Sequence, residues 1–366
     1  MKIEVIDLKK RFEDEKFELL SRIKKVLKKG NLVLTEELED FEKSICKFTG
    51  SKFCLGLNSG TDALMMSLWS LGIRKGDEVI TSPISFIASI SSIIHVGAKP
   101  VMVDVNNDLN LNTDLIEKAI TKKTKAIMPV HWTGRMCDMD QIVKIAKKYN
   151  LKIIEDAAQG MGSYYKKKHA GRFSDIAAFS THPLKNLNGL GDGGFIITDK
   201  KSLYEKIKLL RNHGLRSRDN VEIFGVNSRL DSLNAEVLKF RLSKLNKVIS
   251  KRQSNIKLYK KYLKTKKIKI IGENNLKINS NVMFIVLSEK RELLQKYLRK
   301  FNIQSLVYYK NPLYAHKASK FLNVDKKKFP VANTLVKKVL ALPHHQYLKK
   351  SEIIFVCKKI NQFFST

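Results

Sequence analysis

Between residues 53 and about 200 the chain alternates short apolar runs with amphipathic stretches, and this alternation constrains the fold more than any other feature. The apolar runs are 53–57, 78–81, 100–104, 126–130, 152–155, 176–180 and 194–198. Helical patterns lie between several of them, at 61–71, 86–96, 113–120 and 139–149. Strands separated by helices predict an α/β fold with a mainly parallel sheet covered on both faces. Ligands of such sheets gather where strand ends meet helix starts, and the candidate residues below fall at those junctions.

After about residue 245 the texture changes. A long basic helical stretch, 237–266, leads to an apolar run at 282–287, a helix at 290–301 and a final helix at 351–364. This predicts a large domain over residues 1–245 and a smaller α+β domain over 246–366, with the long helix as connector. No internal repeat or low-complexity linker is visible.

Composition narrows the function classes. Lys and Arg number 69 against 35 Asp and Glu, a net charge of +34. Such an excess is the footprint of nucleic-acid binding. The basic residues are nevertheless spread along the chain and interleaved with acids, in short runs such as 22–29, 122–125, 166–168 and 326–328 without stacked aromatics. A lysine-rich solvated surface accounts for them better, with a modest pull on anionic substrates besides, so nucleic acid is not the expected partner. Cys46, Cys54, Cys137 and Cys357 form no C-x-x-C pair, so they read as small hydrophobes, and no metal site is expected. No run approaches the roughly 18 apolar residues of a membrane span. The first residues lack a basic-then-apolar signal pattern, which predicts a cytoplasmic protein.

Three motifs carry candidate chemistry. Lys185 lies between the apolar run ending at Ser180 and the turn Gly189-Leu190-Gly191-Asp192-Gly193-Gly194. As one of many basic residues it has no standing. In a partly desolvated pocket beside a glycine-rich loop, though, a lysine loses its proton readily and condenses with a carbonyl to form a Schiff base. In Ile153-Ile154-Glu155-Asp156-Ala157-Ala158-Gln159 an apolar run ends in two acids, which fits either an acid facing a ligand or a helix N-cap. Asn58-Ser59-Gly60-Thr61-Asp62 joins a strand to a helix through small residues. Free N–H groups there suit a phosphate, and a capped helix start without ligand fits as well.

In this order the motifs resemble the DegT/DnrJ/EryC1/StrS sugar aminotransferases, a branch of the fold type I pyridoxal-phosphate (PLP) enzymes. The likeness runs nearly end to end. It takes in Ile6-Asp7-Leu8-Lys9, Phe41-Glu42, Gly76-Asp77-Glu78-Val79-Ile80, Ser85-Phe86, Pro129-Val130-His131 with Gly134, and Asp138-Met139-Asp140. Further on come Gly225-Val226-Asn227-Ser228-Arg229-Leu230-Asp231 and Leu342-Pro343-His344. Thr35, Asn234 and Ser174 depart from residues common in the family.

The resemblance implies a seven-stranded sheet in the large domain and PLP as cofactor. Lys185 would hold it and shuttle a proton. Asp156 would face the pyridine nitrogen, Gln159 the phenolic oxygen and Phe86 the ring face. Gly60, Thr61 and Ser180 would bind the phosphate, and Asn227 would reach the phosphate of a neighbouring subunit, making a homodimer with shared sites. Taken alone, Phe86 reads as core and Asn227 as a turn residue. His182 and Arg229 are candidates for the sugar or its phosphates, although His182 can equally pack beside Pro183. Tyr308, Tyr309 and His316 lie where the family's small domain approaches substrate.

The implied reaction moves an amino group from an amino acid, glutamate first among them, to a keto-sugar, usually nucleotide-linked, for surface polysaccharide or glycan synthesis. Gly191-Asp192-Gly193-Gly194 resembles members acting at sugar C3, while His182-Pro183-Leu184-Lys185 leaves a keto-octulosonate acceptor open. Lysine at 185 counts against the dehydratase branch, which carries histidine there. Two rivals stand beside this reading: a nucleic-acid-binding regulator on the same scaffold, and a PLP enzyme of another reaction type such as an epimerase.

Overall fold

The computed structural model describes residues 2–271 and 277–365. Helices α1 (Leu8–Lys29) and α2 (Glu36–Thr49) precede the sheet. There follow β1 (Phe53–Leu57), α3 (Gly60–Ser70), β2 (Glu78–Thr81), α4 (Ala88–His95), β3 (Lys99–Met102), β4 (Thr124–Met128), α5 (Met139–Lys148) and β5 (Lys152–Asp156). Two more strands, β6 (Ile176–Ser180) and β7 (Gly194–Thr198), and helix α6 (Lys201–Leu210) complete this part. The seven strands form one sheet in the order β1-β7-β6-β5-β4-β2-β3. Neighbours pair in parallel except around β7, which runs antiparallel to both β1 and β6.

The strands read as near-continuous apolar runs because both faces are covered. Phe41 and Ile45 of α2, Ile142 and Ile145 of α5 and Leu238 and Leu242 further along pack on one face. Leu64 and Leu68 of α3, Ile93 of α4 and Ile207 of α6 pack on the other. Phe179 of β6 and Phe195 of β7 stack across the pair with ring centroids 4.8 Å apart.

Helix α7 (Ser232–Tyr262, 31 residues) spans both parts of the chain. Leu245 and Ile249 belong to the core of the large sheet, while Ile256 and Tyr259 belong to the core of a second one. That sheet is three-stranded and antiparallel, with β8 (Ile268–Ile270), central β9 (Phe284–Ser288) and β10 (Val339–Leu342). It is joined by α8 (Arg291–Lys300), α9 (Pro330–Leu335) and α10 (Lys350–Ser365). Alternation along β9 turns Phe284 and Val286 toward α8 and α10, and Ile285 and Leu287 toward the apolar group that holds Val130 and Trp132 of the large sheet's loops. This period of two presents Met283, just before β9, to the cleft.

Two sequence expectations shift. Residues 113–120 form no α-helix but two short 3-10 turns, Thr113–Leu115 and Glu117–Ala119. The Asn112 side chain accepts from Asp114 N–H at 3.1 Å and starts a tight turn, which continues through i→i+3 bonds rather than an α-helical ladder. Helix α7 begins five residues before the predicted 237, because Asp231 accepts from Asn234 N–H at 2.7 Å and caps it there. The cysteines are free, three of them buried and Cys46 half-buried. Among the described residues no helix is long and apolar enough to cross a membrane.

Candidate active site

The six parallel strands end on one side of the sheet, and a cavity of about 240 Å³ opens there. Gly60, Thr61, Phe86, Asp156, Gln159, Ser180, His182, Lys185 and Tyr309 all line it. These residues come from segments as far apart as 59–61 and 308–309, so the sheet topology rather than local sequence brings them together.

Asp156, the last residue of β5, is 4% exposed. Burial pushes its carboxyl above the usual carboxylate range. Four features oppose that: Ser89 Oγ donates to Oδ2 at 2.6 Å, Ala158 N–H donates to Oδ1 at 3.2 Å, and the charges of Lys185 and His131 attract. Ser85 Oγ lies 2.6 Å from Ser89 Oγ, extending the chain of hydroxyls along the wall. Lys185 is half-buried, and burial pushes its amine down to about 8 against the attraction of Asp156. A lysine so depressed is a far better nucleophile near neutral pH than a solvated one.

Next to Asp156, Glu155 is buried beneath the sheet end and belongs to the scaffold. It lies 2.7 Å from His131 Nε2 and accepts from Gly171 N–H at 2.7 Å and Phe173 N–H at 2.9 Å. Of the two acids, therefore, only Asp156 lines the cavity. Gln159 Oε1 accepts from Thr133 N–H at 2.8 Å, which leaves the amide's NH₂ end as its remaining donor.

The end of the cavity at Gly60 and Ser180 is built by close backbone approach. Ser59 caps α3, its Oγ accepting from Asp62 N–H at 3.0 Å. A Cβ on Gly60 would lie 2.7 Å from Ser180 Cβ, and one on Gly194 would lie 2.5 Å from the Ser59 carbonyl carbon. The end of β1, the start of α3, the end of β6 and the start of β7 can meet only because neither position carries a side chain. The first N–H groups of α3 have no partner within the helix and adjoin the Ser180 hydroxyl.

Phe86 is 55% exposed at the cavity mouth, its ring centroid 6.3 Å from that of Tyr309. Tyr308 and Met283 complete this wall, with Asp192 and His182 also on the lining. Asn227, Arg229 and His316 do not line the cavity of their own chain. Asn227 is exposed on a loop, where its Oδ1 accepts from Arg229 Nε at 3.0 Å. Arg229 Nη1 also donates to Asn212 Oδ1 at 3.1 Å, and His316 is exposed ahead of a 3-10 turn.

Sequence reasoning missed Ser89 and Met283, and named Ser85, Tyr308 and Asp192 without assigning them a contact. Ser89 sits in a Ser- and Ile-rich helix whose pattern marks no one hydroxyl; its meaning comes from which turn of α4 passes beside the end of β5.

A depressed lysine, a buried acid held ready to ionise, a helix start meeting a hydroxyl across two glycines and an aromatic at the mouth form one donor set. It matches the aldehyde, pyridine nitrogen, phosphate and ring face of PLP, which defines the class as a fold type I PLP enzyme. Residues 13–361 match the sequence profile of the DegT/DnrJ/EryC1/StrS aminotransferase family. A pleiotropic regulatory protein of Geobacillus stearothermophilus is 33% identical, covering 100% of this chain and 99% of its own. A dTDP-3-amino-3,6-dideoxy-alpha-D-galactopyranose transaminase of Aneurinibacillus thermoaerophilus is 37% identical, covering 94% and 95%. The crystal structure of DesV from S. venezuelae superposes with a TM-score of 0.97 at 34% identity, covering 100% of this chain and 99% of that one. The chain belongs to the DegT/DnrJ/EryC1/StrS aminotransferase family, and its cofactor is pyridoxal 5'-phosphate.

Proposed function

We propose that this protein is a cytoplasmic aminotransferase that moves an amino group from an amino acid, glutamate foremost, to the ketone of a nucleotide-linked sugar. The amino sugar would feed surface polysaccharide or glycan synthesis. The observation that carries this reading is the single cavity into which Lys185 and Asp156 converge from different strand ends. The transaminase names of the relatives support the substrate class.

Bound PLP supplies an aldehyde and an electron-withdrawing ring that spreads the charge developing on a substrate carbon. Lys185 Nζ would hold that aldehyde, and the donor's amine would displace it. Nζ then takes the proton from the donor's α-carbon, and in the second half-reaction it delivers a proton to the sugar carbon that gains nitrogen. Asp156 keeps the ring nitrogen protonated, and Ser89 and Ala158 keep Asp156 ionised. The NH₂ end of Gln159 would donate to the phenolic oxygen. Gly60, Thr61 and Ser180 would hold the phosphate, and Phe86 would cover the ring face and exclude water. His182 and Tyr309 stand at the mouth to meet the sugar.

Asn227, Arg229 and His316 fit this scheme as residues given to, or received from, a second subunit. Phe224, fully exposed three residues before Asn227, and the half-exposed Val221 and Val226 support a homodimer joined along that loop. Incubation with glutamate and a panel of keto-sugar nucleotides should yield an amino sugar detected by mass. Conversion of bound PLP by glutamate without any product would favour a keto-octulosonate acceptor, and no conversion would eliminate glutamate as donor. The net charge and the regulatory relative support a second reading, a nucleic-acid-binding regulator on the same scaffold. That reading requires salt-sensitive retention of DNA or RNA that survives Lys185→Ala.

A further inference from the structure

The loop that carries Lys185 is held from beneath by three buried arginines: Arg11 of α1, and Arg241 and Arg252 of α7, at 5%, 6% and 2% exposure. The two on α7 are eleven residues apart, close to three helical turns, and so share a face. Arg241 Nη1 donates to the carbonyls of Asn188 at 2.8 Å and Gly189 at 3.0 Å, while Arg11 donates to the Asn188 side-chain oxygen. Glu15 accepts from both, from Arg11 Nε at 3.2 Å and Arg241 Nε at 2.9 Å, and so sets one carboxylate against these two charges.

Arg252 is different. Its Nη1 donates to Asn186 Oδ1 at 2.5 Å and to the Val282 carbonyl at 3.2 Å, and its Nε and Nη2 reach Gln346 Oε1 at 3.4 and 3.3 Å. Its partners among the described residues are all neutral, and burial pushes the guanidinium down to about 9. A buried charge held by neutral acceptors carries a desolvation cost that its hydrogen bonds offset only in part. Stability alone therefore gives a poor reason for an arginine here.

Its two closest partners give a better one. Asn186 directly follows Lys185, and Val282 directly precedes Met283; Lys185 and Met283 both line the cavity. Asn186 is tied at its other end as well, Nδ2 donating to the Ser280 carbonyl at 2.7 Å. One nitrogen of the planar fork, Nη1, thus bonds the sequence neighbours of the reactive amine and of the cavity wall at Met283.

We propose that Arg252, acting through Asn186 and the Val282 carbonyl, is a positioning residue that fixes the Lys185 amine relative to the Met283 wall. This rests on Lys185 being the cofactor's attachment point. In the PLP-loaded full-length protein, Arg252→Met should fold with a lowered melting temperature, because the Asn186, Val282 and Gln346 oxygens lose their donor. The pH midpoint of the bound cofactor's visible absorbance should also move. The kcat should fall by roughly tenfold or more, while the KM for glutamate changes by less than about threefold, as expected when a reacting group is displaced by a fraction of an ångström. Arg252→Lys, which keeps the charge but loses the fork, and Asn186→Ala should move the midpoint in the same direction; they decide the matter should Arg252→Met not fold. Folded variants with the wild-type midpoint and kcat would overturn the proposal, as would losses that only track a falling melting temperature. A wild-type protein with no borohydride-trapped adduct on Lys185 would instead sink the site assignment itself.

Discussion

At Asp156 two opposing terms decide a protonation state. Burial favours the neutral acid, while the Ser89 hydroxyl at 2.6 Å, the Ala158 N–H and the Lys185 charge favour the carboxylate. A hydrogen bond to a charged group contributes about 1.5–3 kcal/mol, which corresponds to roughly one to two pKa units. Catalysis needs the ionised form, so activity falls as pH drops through the Asp156 pKa. Ser89→Ala removes a bond that lowers this pKa, so the pKa rises and the acid limb of the kcat profile moves upward by about one unit or more. An unchanged limb in a folded Ser89→Ala protein would show that Ser89 does not set the ionisation. The serine was illegible in the sequence where Asp156 was not. An acid closing an apolar run announces a strand end, but a serine in a helix gains meaning only from what the helix packs against.

The elements around the cofactor site were legible to the extent that their signals are local. Apolar runs with flanking small residues placed all seven strands of the large sheet, and glycines marked the turns. Residues 113–120 show the limit: the apolar spacing fits a helix, yet the Asn112 cap and the i→i+3 bonds close two tight turns instead. Nor does spacing alone reveal why Gly194 is glycine. The answer lies across the sheet, in the Ser59 backbone that a Cβ would strike. Gly194→Ala should therefore push β7 away from the start of α3 and weaken PLP binding by about tenfold or more in a fluorescence titration, with a stability loss of about 1–3 kcal/mol. An alanine variant that binds PLP as wild type does would mean the phosphate cup does not depend on this close approach. Gly191, where a Cβ meets nothing within 4 Å, serves as the control.

For the whole molecule, the cavity of one chain gathers ten of the thirteen residues singled out in the sequence and leaves Asn227, Arg229 and His316 outside. No single-chain pattern distinguishes a residue of its own site from one lent to a neighbour, which is why only the family resemblance assigns Asn227 to a neighbouring subunit and Arg229 and His316 carry no such assignment. If the sites are shared, mixing inactive Lys185→Ala and Asn227→Ala protomers should recover activity, up to about one quarter of wild type for random reassortment with one intact site per mixed dimer. No recovery, with subunit exchange verified, would count against sharing.

The account depends above all on Lys185 bonding to the cofactor. Borohydride reduction of the PLP-loaded wild-type protein, followed by peptide mapping, tests this most directly. The predicted result is one pyridoxyl adduct, on the peptide containing Lys185 and absent after Lys185→Ala. An adduct on another lysine, or none, would contradict it.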